Sequence, residues 1–184
     1  MFQKNVLLSL LTAWFSVFAA SAQNPRKPVP NRRAKAVYME LLGASITGFS
    51  LNYDMRFKRA TNIGWGARIG IGTNNAGKNE RYQRDRYLPI MIYRTVGGQR
   101  AALELGFGTT LWHSQEYYQV NTLTGAQGSF TKNTYGSQLF GNVGLRLQPK
   151  RFGPVVRIYW SPIIIPSEGL MPYWAGVSFG FGFK

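Results

Sequence analysis

The stretch Tyr173–Lys184, YWAGVSFGFGFK, decides the fold. Tyr173, Ala175, Val177, Phe179, Phe181 and Phe183 share one parity; Trp174, Gly176, Ser178, Gly180 and Gly182 share the other. A β-strand sends successive side chains to opposite faces, so one face of this segment is an aromatic ladder and the other is nearly bare. A soluble sandwich also alternates, but it buries its apolar face and turns a polar or charged one to water. Glycine weakens a strand in water and suits a face where space is short. The pattern therefore asks for hydrocarbon on one side and a cramped interior on the other.

Working back along the chain, eight runs share this character: approximately 36–46, 48–58, 62–73, 86–96, 100–112, 134–148, 153–162 and 172–183. Most are near the ~9–11 residues that a tilted strand needs to cross a bilayer. In the second run Phe49, Leu51, Tyr53, Met55 and Phe57 oppose Ser50, Asn52, Asp54 and Arg56. In the third, Ile63, Trp65, Ala67, Ile69 and Ile71 oppose four glycines and Arg68. The fifth sets Leu103, Leu105, Phe107 and Leu111 against Glu104, Gly106, Gly108 and Thr110. In the sixth, Leu139, Val143, Leu145 and Leu147 oppose Gln138, Asn142, Arg146 and Gln148. The fourth, YLPIMIYRTVG, is apolar almost throughout; Ile90 and Ile92 are placed outward.

Connections alternate between short (RAT, GGQ, PKRF) and long (NNAGKNERYQRD, SQEYYQVNTLTGAQGSFTKN, IIIPSEGLM), apart from a tight first turn near Ile46–Thr47. Short periplasmic turns and longer outside loops are the habit of membrane barrels. Trp65, Tyr87, Trp112, Tyr135, Trp160 and Tyr173 lie towards run ends, where interfacial girdle residues belong. The fold expected over residues 36–184 is an all-β, eight-stranded antiparallel up-and-down transmembrane β-barrel, closed so that no backbone polar group is left to lipid.

Ahead of it, residues 1–22 read as a signal peptide: Lys4, an apolar run from Val6 to Ala20, then Ala20 and Ala22 before Gln23. The run is shorter than the ~20 residues of a spanning helix. Residues 23–35, QNPRKPVPNRRAK, read as a Pro-rich basic periplasmic tail. The 184 residues contain no cysteine, which excludes disulfides, thiolate metal sites and a lipid anchor on a mature N-terminal Cys. The formal net charge is +15. In an exported protein that balance points to anionic lipid and lipopolysaccharide phosphate rather than nucleic acid.

ELLGASITGFSLNYDMRF, LELGFGTT and YWAGVSFGFGF, with AQ at the cleavage site, resemble the small eight-stranded outer-membrane β-barrel proteins, in particular the outer-membrane beta-barrel family abundant in Bacteroidetes. The resemblance covers Ala36 to Lys184. It implies a bacterial outer-membrane location and insertion by the barrel-assembly machinery. The assembly signal would be Gly176, Phe179, Phe181 and Phe183, although here Lys184 follows the terminal aromatic.

Seven charged residues fall on the expected inner face: Glu40, Asp54, Arg56, Arg68, Glu104, Arg146 and Arg157. An eight-stranded barrel is just wide enough for side chains to fill it, and buried charges persist only when paired. An Arg–carboxylate network plugging the lumen is expected; a gated conduit for protons or small ions is the alternative. Lys78, Arg81, Arg84 and Arg86 form an expected cation cluster in the loop after the third strand, suited to lipopolysaccharide phosphate or another envelope protein. The one histidine lies in WHSQEYY. His113 and Ser114 are adjacent, so in a regular strand they face opposite ways and form no Ser–His pair. No catalytic residue, metal site or cofactor is expected. The function expected is structural or partner-binding through the outside loops. A narrow channel, a small hydrophobic-ligand carrier and a lipid-A-modifying enzyme remain competitors.

Overall fold

Period-two alternation builds the wall. The computed structural model describes residues 31–45, 48–78, 81–121, 127–166 and 168–184. Its strands are β1 (Arg33–Leu42), β2 (Phe49–Arg59), β3 (Gly64–Lys78), β4 (Arg81–Gly97), β5 (Ala101–Asn121), β6 (Gln127–Leu147), β7 (Gly153–Trp160), β8 (Ile163–Ile165), β9 (Gly169–Met171) and β10 (Ala175–Phe183), with one 3₁₀ turn, η1 (Gly43–Ser45). Neighbours β1 to β7 pair antiparallel in chain order, and β10 lies between β7 and β1. These eight strands close into a ring. The last strand seals it, running from Lys35↔Phe183 to Leu42↔Gly176 against β1.

The distribution of side chains is inside out. A soluble fold would require Phe49, Ile69, Leu105 and Phe181 to share an interior. All four lie on the outer surface, while Glu40, Asp54, Arg56 and Arg68 are buried within the ring. Apolar exposure over a whole wall far exceeds the patches that soluble monomers tolerate; hydrocarbon is the solvent that stabilises it. The fold is an eight-stranded antiparallel transmembrane barrel that crosses with strands, and none of the described helices is long and apolar enough to span.

The bare inner face makes room for large side chains. A Cβ on Gly180 would fall on Tyr38 and the Val37 carbonyl; one on Gly66 would come 2.7 Å from the Tyr93 hydroxyl; Gly144 and Gly176 both flank Tyr159. Outside, Phe179 and Phe181 meet edge to face at 6.2 Å.

The structure departs from the sequence reading at several places. β1 begins at Arg33, because Arg33 and Lys35 are needed to complete the ladders to β2 and β10. β3–β4 pairing runs up to Lys78↔Arg81, and β5–β6 pairing to Asn121↔Gln127. Most of both expected long loops is therefore β-ribbon rising above the ring; polar strands beyond the bilayer still gain from pairing but carry no apolar alternation to announce it. The segment after β7 forms the small hairpin β8–β9, and β8 keeps β7's register against β6 across a break at Ser161–Pro162. Tyr87 and Trp112 face inward, not to an interfacial girdle: Tyr87 is buried and Trp112 covers Gly136. Residues 1–30, and hence the leader and most of the basic tail, lie outside the described residues, as do Ile46 and Thr47.

Candidate functional site: the lumen and the outer rim

Inward parity brings six of the seven expected lumen charges into one chain. Arg68 Nη1 donates to Glu40 Oε2 at 2.8 Å. The same oxygen lies 3.7 Å from Arg157 Nη1. Arg157 Nη2 in turn donates to Glu104 Oε1. Arg146 Nη1 donates to Glu104 Oε2 at 3.1 Å and to Asp54 Oδ2 at 2.5 Å, while its Nη2 reaches Asp54 Oδ1 at 3.2 Å. The sequence of links, Arg68–Glu40–Arg157–Glu104–Arg146–Asp54, ties together β3, β1, β7, β5, β6 and β2. The planar guanidinium is suited to this, since each can serve two carboxylates at once.

Arg56 stands outside the chain of ion pairs. Its Nε donates to the Asn62 carbonyl at 3.0 Å, and its guanidinium lies 4.4 Å from the Tyr93 ring centroid. Arg157 similarly sits between Tyr38 and Tyr159, at 4.9 and 4.8 Å. Cation–π contact with three inward tyrosines supplements the carboxylates. These tyrosines were not singled out from sequence, although Tyr38 shares parity with Glu40 and Tyr159 with Arg157.

Both ends of the lumen are closed by backbone. At the upper end η1 folds inward: Ala44 N–H donates to Glu40 Oε1 at 3.2 Å, and Ala44 carbonyl accepts from Thr110 Oγ1 at 2.9 Å and Gln138 Nε2 at 3.2 Å. Ala44, Met91, Tyr93, Phe140 and Ile163 pack there as an apolar cap, with Trp174 Nε1 donating to Gly43 carbonyl at 2.8 Å. At the lower end buried Asn62 ties three turns together. Its Nδ2 donates to the Gln99 and Pro149 carbonyls at 2.7 and 2.8 Å. Neither cap residue carried a sequence signal, because both act through turn backbone.

The expected loop cations lie on strands. Lys78 and Arg81 form the last pair of the β3–β4 ladder; Arg84 and Arg86 are exposed on the outer face of β4. His113 also faces outward, stacked on Tyr135 at 4.5 Å, with Nε2 3.3 Å from Asn133 Oδ1. Ser114 faces inward and accepts from Gln83 Nε2 at 3.2 Å, so His113 and Ser114 point to opposite sides of the wall. Gly176 faces inward on β10 and Phe179, Phe181 and Phe183 face outward. Among the described residues no group of three or more His, Cys, Asp or Glu could hold a metal ion.

No family model matches this chain, and no curated protein matches it. Among solved structures it is similar to the attachment invasion locus protein Ail of Yersinia pestis, determined with the heparin analogue sucrose octasulfate (13% identity, TM-score 0.41, covering 82% of this chain and 96% of that one). It is also similar to the N-terminal β-barrel domain of Pseudomonas aeruginosa OprF (12%, 0.43, 83% and 98%) and to a major outer membrane protein of Thermus thermophilus (13%, 0.49, 82% and 98%).

Proposed function

We propose that this chain is a non-catalytic integral protein of the bacterial outer membrane, with a permanently filled lumen and a structural or partner-binding role carried by its outer rim and ribbons. The observation that carries the reading is the closed lumen. A continuous Arg–carboxylate chain fills its middle, η1 covers one end and the Asn62-linked turns cover the other. Buried ion pairs of this kind resist opening, because separating them leaves uncompensated charge in a low-dielectric interior. Residues 1–22 would direct export, and Gly176, Phe179, Phe181 and Phe183 would present the last strand to the assembly machinery, in the manner of the Bacteroidetes-type barrels. The η1–β8–β9 end then faces outward, with the four tall strands β3–β6 reaching beyond the lipopolysaccharide headgroups.

Planar-bilayer recording tests the filled lumen. Reconstituted wild-type protein is expected to show no steady conductance. Stable conductance that changes in Glu104→Ala would transfer the assignment to a narrow channel.

A further inference from the structure

On the outer wall, a row of mixed polar and aromatic residues lies directly above an aliphatic one. Cross-strand pairing places Phe49, Thr73, Arg86, His113 and Tyr135 side by side across β2 to β6. One step nearer the middle of the wall, Leu51 pairs with Ile71 and Leu88 with Leu111. Between these rows is a groove of about 620 Å³, overwhelmingly apolar, floored by Leu51, Ile71, Leu88 and Leu111 and rimmed by Arg86 and His113.

The β3–β4 ladder skips two rungs at this level. Pairing of β3 with β4 passes from Ile69↔Ile90 to Gly72↔Tyr87 without the intervening pairs. Pro89 lies in that gap. It remains paired with Thr110 of β5, so its missing N–H falls on the β3 side. Pro89 is itself buried on the inner parity, so the gap is a missing rung of the ladder beside the groove.

The rim is cationic. Arg86 is exposed on the outer face of β4, and the residues opposite it, Thr73 on β3 and His113 on β5, are not acidic. His113 is held flat on Tyr135, with Nε2 3.3 Å from Asn133 Oδ1.

We propose that this groove is a lipid site that takes one acyl chain of a phosphate-bearing membrane lipid along Ile71, Leu88 and Leu111, with the phosphate held by Arg86 beside His113. The site rests on the reading of the chain as an integral membrane barrel and deepens it by naming a ligand class. An arginine fork matches phosphate oxygens geometrically. Placed at the boundary of the apolar band, it holds the headgroup where the chain can still reach the groove. A free phosphate would use only the rim, so the groove argues for the lipid.

Native mass spectrometry of the full chain in non-ionic detergent tests this. The added probes are phosphatidylglycerol, a diacylglycerol with the same chains, and inorganic phosphate. One phosphatidylglycerol per chain should be retained, and the other two probes should not. A cation near a membrane surface contributes ~1 kcal/mol, so Arg86→Ala should weaken retention about fivefold. Leu88→Trp, which fills the groove without touching the charge, should also weaken it. Arg94→Ala, at the far end of the outer face beside Trp65, should leave it unchanged. Equal retention of phosphatidylglycerol and diacylglycerol, binding of inorganic phosphate as tight as that of the lipid, or indifference to both groove variants overturns the site. Far-UV circular dichroism and heat-dependent gel mobility of each sample separate the two readings: a folded barrel that retains no lipid refutes only the site, whereas a chain that stays unfolded in detergent refutes the barrel beneath it.

Discussion

Glu104 is the carboxylate whose loss the lumen should tolerate least. Its Oε1 accepts from Asn142 Nδ2 at 3.0 Å and from Arg157 Nη2, and its Oε2 accepts from Arg146 Nη1 at 3.1 Å. In Glu104→Ala, Arg146 keeps Asp54, but Arg157 keeps the Tyr38 and Tyr159 ring faces, Ser178 Oγ at 3.1 Å and no carboxylate nearer than the 3.7 Å approach to Glu40. The middle of the lumen already holds four arginines against three carboxylates, so the substitution deepens an existing imbalance. Removing one partner of a buried pair costs ~3–5 kcal/mol, and stranding the Asn142 amide adds a desolvation penalty that overlaps with it. A loss of about 4 kcal/mol is expected, close to a thousandfold in the folding equilibrium. The assay is reversible urea unfolding in phosphocholine vesicles, followed by tryptophan fluorescence and gel mobility. Glu104→Gln keeps the volume and isolates the charge, and should retain most of the loss. A double-mutant cycle with Arg157→Ala should return a coupling of about 2 kcal/mol. A cost below about 1 kcal/mol for Glu104→Ala, or no coupling to Arg157, would falsify the network as drawn.

Arg56 makes the complementary case: among the described residues it has no carboxylate within ion-pair distance, so Arg56→Met should destabilise by at least ~1 kcal/mol less than Arg146→Met in the same unfolding assay. Gly180→Ala should cost about 1–3 kcal/mol or prevent folding, because the new Cβ meets the Val37 carbonyl and Tyr38, and backbone on that side is fixed by the β1–β10 ladder. Asn62→Ala should lose about 2 kcal/mol by unlinking the turns at Gln99 and Pro149, with the far-UV spectrum unchanged. Leu105→Lys, on the outer face, should cost ~2–4 kcal/mol in vesicles if that position lies near the bilayer midplane, whereas Arg84→Gln at the rim should be close to neutral.

The wall was legible in the sequence because its rule is local: parity alone assigns Phe49, Ile69, Leu105 and Phe181 outward, and it puts all seven lumen charges inward. What parity does not state is which inward residues meet. Glu40 and Arg68 are two strands apart, and Arg146 and Asp54 face each other across the lumen; such contacts depend on barrel radius and stagger, not on spacing along the chain. Tyr93 was hidden for a different reason. Its run is apolar on both faces, so the alternation that identifies an inner position is absent, and only Ile90 and Ile92 hint at the phase. Trp112 and Tyr87 were misassigned because aromatic residues near strand ends serve equally as girdle residues and as cover over an inner glycine; Gly136 beside Trp112 decides it, and that neighbour is on another strand.

Glycine and arginine turn out to be two halves of one solution. A ring of eight strands has too little interior for large side chains on every inward position, yet four arginines and three tyrosines must fit among the carboxylates. Glycines at 66, 106, 144, 176 and 180 give up their own volume where Tyr38, Tyr93 and Tyr159 lie, and the tyrosine rings in turn provide faces for Arg56 and Arg157. On the proposed reading the interior is thereby committed to stability. Sites able to engage another molecule must then be sought on the outer wall, where the groove floored by Leu51, Ile71, Leu88 and Leu111 lies beside Arg86 and His113.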